Sequence, residues 1–125
     1  MSGLTLDAGA LIAFERSDRR LVVLLSRAIE QRMAIVIPAA VVGQVWRDGR
    51  KQARLARLLS AHQVTVESLD DEGARAAGQL CGVSRTSDVI DATVVLSAKS
   101  RGDAIVTSDA SDMRRLDSKI KLISV

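Results

Sequence analysis

Aromatic side chains are nearly missing from this 125-residue sequence, which has one Trp, one Phe and no Tyr. A surface on which successive nucleobases stack needs several such rings. Any nucleic acid held here is therefore held mainly through its phosphates. Cysteine occurs once, as Cys81, which excludes an internal disulfide framework and a multi-cysteine metal centre. Histidine also occurs once, as His62, ahead of a strand-like run and with no partner implied by spacing. A Ser-His-Asp relay lacks its parts, and His62 reads as a surface residue. A Gly-rich phosphate loop of the Walker kind is missing too. No apolar run approaches the roughly 20 residues that span a bilayer. No basic stretch leads from Met1 into an apolar leader. A cytoplasmic, reducing environment is the simplest expectation. With no Pro/Gly/Ser-rich linker, residues 1–125 are expected to form a single domain.

What is present is a regular alternation. Short apolar runs at 3–6, 34–37, 64–66, 104–107 and 120–125 read as strands. Between them lie segments with helical patterning at 8–15, 20–31, 39–47, 51–59, 70–81 and 88–100, and a short helix from about Ala110. Pro38 falls near the first turn of its helix, where proline is tolerated. Gly49 and Gly102 sit where helices should stop. Strands alternating with helices predict an α/β domain with a mostly parallel sheet covered on both faces.

Four aspartates carry the chemistry. Asp7 and Asp109 follow predicted strands, and Asp88 and Asp91 open a predicted helix. In parallel sheets, sites gather outside the carboxyl ends of the strands. If the strands before Asp7 and Asp109 are neighbours, one crevice collects these side chains. Each acid alone reads equally as a helix cap: Asp7 before Ala8, Asp88 and Asp91 as a capping box, Asp109 and Asp112 as another. Together they would raise each other's pKa values or need a cation. The available donors are all oxygen, which suits Mg²⁺ or Mn²⁺ better than Zn²⁺. Such ions assist phosphodiester hydrolysis.

A net charge of +3 is compatible with a nucleic-acid partner. Arg47, Arg50, Lys51, Arg54 and Arg57 form the densest basic stretch. Arg50, Arg54 and Arg57 are expected on one helix face. That face serves either as the solvated side of an amphipathic helix or as an RNA phosphate stripe.

Four segments in this order resemble the PIN-domain ribonucleases, and among them the VapC toxins of toxin–antitoxin pairs. They are Leu6-Asp7-Ala8-Gly9-Ala10-Leu11-Ile12, Ile37-Pro38-Ala39-Ala40-Val41, Ser87-Asp88-Val89-Ile90-Asp91-Ala92 and Thr107-Ser108-Asp109. The resemblance covers nearly the whole chain. It implies a three-layer α/β/α fold with a four- or five-stranded, mostly parallel sheet. It also implies an RNA substrate and a homodimer inhibited by a small antitoxin. Asp7, Asp91 and Asp109 fall on its catalytic, Mg²⁺- or Mn²⁺-binding positions, and Asp88 and Asp112 lie close enough to hold water or a second ion. The sequence departs from the family at Gln44, where a glutamate is usual; Asp48 lies one turn on. Gln contributes oxygen but no charge, so a second ion should bind more weakly. An inactive RNA- or protein-binding module, or a metal phosphohydrolase acting on a nucleotide, are the alternatives.

Overall fold

The computed structural model describes residues 3–125. Chain order is β1 (Leu4–Leu6), α1 (Ala8–Glu15), α2 (Arg19–Glu30), β2 (Ile35–Pro38), α3 (Ala39–Val45), α4 (Ala53–Leu59) and β3 (Val64–Glu67). It continues with α5 (Asp71–Ser84), α6 (Val89–Arg101), β4 (Ala104–Thr107), α7 (Ala110–Leu116) and β5 (Leu122–Ser124). The five strands form one sheet in the order β3-β2-β1-β4-β5, and every pairing is parallel. Leu4 lies opposite Ile35 on one side and Ala104 on the other, which makes β1 central. A central strand covered on both faces cannot alternate apolar and polar residues, and all three residues of β1 are buried.

Right-handed crossovers place the helices. The connections from β1 to β2 and from β2 to β3 put α1, α2 and α4 on one face. The return from β3 to β4 and the step to β5 put α5, α6 and α7 on the other. The result is an α/β/α sandwich. The short α3 touches both α1 and α6, so it lies across the carboxyl end of β2. On α6, six residues from Ala92 to Ala98 are buried, because sheet and neighbouring helices enclose it.

Local chemistry fixes the ends. Asp18, Asp70 and Asp88 each accept a hydrogen bond from the backbone three residues on, capping α2, α5 and α6. Gly102 closes α6 at φ +71°, a left-handed conformation open to glycine.

Three helix boundaries differ from expectation by two residues or more. The 51–59 helix starts only at Ala53, and the 39–47 helix stops at Val45. The Gln52 side chain causes the break: its Oε1 accepts from the N–H groups of Arg47 and Asp48, at 2.7 and 2.9 Å. Arg50 and Lys51 therefore lie in a turn. The expected single helix face of Arg50, Arg54 and Arg57 does not exist. The 70–81 helix runs on to Ser84, ending at Arg85 in a left-handed conformation.

One buried polar network ties the sheet to α6. Asp103 is 3 % exposed. It accepts from Gly3 N at 2.8 Å, Thr5 Oγ1 at 2.9 Å and Arg101 Nε at 3.0 Å. Arg101 also donates to Glu67, Thr5 and Ser97.

Candidate active site

The strand order reverses direction between β1 and β4. Strands from β1 run outward through β2 to β3, whereas β4 runs the other way to β5. Crevices at the carboxyl ends beside such a reversal are where α/β sheets bind ligands. Asp7 leaves β1 there, and Thr107-Ser108-Asp109 leaves β4 beside it.

Asp7 is 4 % exposed. Its carboxylate accepts from Ala10 N at 2.8 Å, so it does cap α1. Burial is the main force raising its pKa; the Thr107 hydroxyl and the Ala10 and Gly9 amides oppose it, and Asp109 pushes the same way as burial. Thr107, fully buried at the end of β4, also accepts from Asp109 N at 2.9 Å. Gly9 allows a close approach: a Cβ there would overlap the Ser108 hydroxyl and lie 2.9 Å from Ser108 Cβ. Gly9→Ala is therefore expected to cost about 1–3 kcal/mol in denaturant unfolding, as overpacking does. Ser108→Gly in the same chain should restore most of it.

Asp91, in the first turn of α6, is half-buried. Its pKa is pushed up to about 7, first by desolvation, then by Asp88, with smaller contributions from Asp7 and Asp112. The capping box is half formed. Asp88 accepts from Asp91 N at 3.0 Å, but Asp88 N is taken by Thr86 Oγ1 at 3.3 Å. The Asp91 carboxylate is thus not engaged in capping. Asp109 occupies an N-cap position with no side-chain cap bond, and accepts instead from Ser111 Oγ at 3.2 Å. It raises the pKa of exposed Asp112. The acids therefore sense one another across the switch point. Among the described residues, none of the five salt bridges engages Asp7, Asp88, Asp91, Asp109 or Asp112.

Gln44 is exposed on α3. Asp48 does not replace the missing acid: it lies beyond α3, accepting from Arg50 N at 3.0 Å. Cys81 lies near the acids, and burial, then Asp88 and Asp91, push its thiol pKa up. It stays protonated and is no nucleophile.

Among the described residues, no three His, Cys, Asp or Glu side chains are grouped closely enough to enclose an ion as they stand. The donor chemistry nevertheless fits a hard divalent cation: carboxylates only, mutually repelling, with no cationic side chain bonded to them. Sequence reasoning singles out these acids but assigns no role to Thr107 or Gly9. Their signal is a hydroxyl and a small residue directly beside strand-end acids.

A layered α/β/α chain with acids at the ends of adjacent parallel strands carries them at the ligand-binding edge of its sheet. Residues 4–119 match the PIN domain, and the chain belongs to this family of nucleases. No curated protein matches it in sequence. Among solved structures it is similar to VapBC2 from Rickettsia felis bound to a DNA fragment from their promoter, at 14% identity and TM-score 0.71, covering 98% of each chain. It is also similar to FitAcB from Neisseria gonorrhoeae, at 16% identity and TM-score 0.66, covering 97% of this chain and 96% of that one. A third likeness is to FitAB bound to an IR36 DNA fragment, at 15% and 0.66, covering 97% and 94%. At these identities the likeness establishes the shared fold. No helix among the described residues is long and apolar enough to cross a membrane.

Proposed function

We propose that this chain is a Mg²⁺- or Mn²⁺-dependent endoribonuclease of the cytoplasm, acting as the toxin of a toxin–antitoxin pair. The observation that supports this chemistry is electrostatic: Asp109 raises the pKa of Asp7, and Asp7 that of Asp91, while no salt bridge among the described residues engages any of the three. These three would hold the ion, with Asp88 and Asp112 beside them. When bound, it supplies Lewis-acid stabilisation of phosphoryl oxygens and acidifies water. The chain's own groups do the rest. Ala10 N holds the Asp7 carboxylate in place. The Asp91 carboxylate, free of capping duty, completes the crevice from α6. Gln44 offers a neutral oxygen where a carboxylate would add charge, which favours one ion over two.

The toxin role and a small antitoxin partner are supported by the PIN fold and by the FitAB and VapBC2 neighbours; a homodimer fits the same reading. Purification of the native complex followed by mass spectrometry tests this, with a co-purifying small protein expected. Cleavage of RNA should require Mg²⁺ or Mn²⁺ and stop with chelator, while calorimetry shows millimolar-range or tighter ion binding. Gln44 and the ungrouped acids favour a second reading, a PIN module that binds RNA without cutting it. RNA that is bound but never cut, with affinity unchanged in Asp91→Asn, would establish that one.

A further inference from the structure

The four arginines of the 47–57 segment do not present equivalent cations. Arg54 lies over the Phe14 ring, 4.9 Å from its centroid, and donates to Ser17 Oγ. Arg57 lines an apolar groove between α2 and α4 with Phe14, Val22 and Leu25. Arg50 leans on Asp48 at 3.6 Å and is otherwise in solvent. Arg47 is different. Its Nη1 donates to two backbone carbonyls, Gly43 at 3.1 Å and Trp46 at 2.7 Å. Nη1 carries two hydrogens, so it is used up. Three of the five guanidinium N–H groups remain, on Nε and Nη2, and no salt bridge among the described residues engages them. That edge is the one that pairs two parallel N–H groups with two oxygens.

The fork is also held in advance. Gln52 accepts from Arg47 N and Asp48 N, and donates to Val45 O at 3.0 Å and to Glu15 at 3.2 Å. One side chain thereby pins the end of α3, the turn after it and α1 together. Gly49 lies against the Trp46 ring, where a Cβ would come within 2.9 Å of it. Gly43 lies on α3, which touches α1 and α6, the helices that follow Asp7 and Asp88.

We infer that Arg47 is a preorganised bidentate site for a backbone phosphate of the RNA strand, with Gln52 as its positioning residue. Arg47, Gly49, Arg50 and Lys51 are exposed. The turn thus offers charge without the apolar anchor that a protein partner would seek. The inference rests on the ribonuclease reading, and deepens it by naming which cation grips the substrate.

The test is binding of a fluorescent single-stranded RNA by anisotropy, over a salt series and with EDTA to prevent cleavage. Arg47→Lys keeps the charge but loses the fork, and should weaken binding about tenfold. Arg47→Ala should weaken it further and lower the salt slope by about one phosphate contact. Gln52→Ala should weaken binding in the native chain but add nothing in the Arg47→Ala background, a coupling that a merely structural loss would not show. Lys at 47 binding like Arg would overturn the inference, as would a Gln52 effect that persists without Arg47. So would a polyglutamate peptide that displaces RNA from the native chain but not from Arg47→Ala, since the fork would then serve an acidic protein. If the native chain binds no RNA at all, the ribonuclease reading falls and this one with it. RNA binding that is indifferent to Arg47 overturns only the fork.

Discussion

Asp91→Asn is expected to abolish most RNA cleavage while making the metal-free protein harder to unfold. The first effect follows from removing a carboxylate where charge must be neutralised. Loss of one such group costs on the order of 10²–10³-fold in rate, measurable as the single-turnover rate of RNA cutting in saturating Mg²⁺. The second follows from the pKa. Asp91 titrates near 7 in the folded chain, against about 3.9 in an unfolded one. The folded state therefore holds this proton more tightly. The stabilisation is fully present below about pH 4 and disappears as pH rises through 7. Asp7 shifts in the same direction. Metal-free protein should thus melt at a falling temperature across that window, and Asn at 91 should flatten the fall. Asp91 is only half-buried, so solvent screening reduces the effect to roughly 1–2 kcal/mol, a shift of several degrees in melting temperature. An Asn variant that cuts RNA at the native rate would remove Asp91 from the site. One that melts with the same pH slope as the native chain would show that its charge is not strained.

Asp103→Ala is the substitution expected to damage the fold most. Its carboxylate receives three hydrogen bonds, one from the Arg101 guanidinium. Removing it strands the buried Gly3 N and takes from Arg101 its buried carboxylate partner, leaving it only the more exposed Glu67. Breaking a buried pair from one side costs about 3–5 kcal/mol, a large share of the roughly 5–15 kcal/mol that holds a domain together. Urea unfolding should show the midpoint fall with little change in slope. Arg101→Met with Asp103→Leu should cost less than Asp103→Ala alone, because the one charge then left unpaired, on Glu67, is exposed to solvent rather than buried.

Much of this architecture was legible in the residues. Buried parallel strands announce themselves as β-branched runs, and 35–38 and 104–107 are unambiguous. The acids at 7 and 109 were readable because strand ends are. What escaped notice depends on contacts distant in sequence. The basic helix face expected from Arg50, Arg54 and Arg57 fails because Gln52 redirects the backbone, and no local propensity encodes a side chain bonding to four different groups. Asp88 as cap was plain from spacing. That Asp91 is released from the capping box depends on Thr86 taking the Asp88 amide. Asp103 is equally illegible from its neighbours. A lone acid after Gly102 looks like a solvated turn until β1, arriving from the other end of the chain, is laid beside it.

The position of β1 also sets a clock. This central strand is made long before its partner on one side, β4, which begins at Ala104, and the Thr5–Asp103 bond closes a separation of 98 residues. A ribosome adding roughly 5–20 residues per second needs on the order of 5–20 s between making Asp7 and making Asp109. Throughout that interval the crevice lacks a wall. On the proposed nuclease reading, no activity can appear before Asp109 has emerged, which leaves time for an inhibitor made alongside the chain.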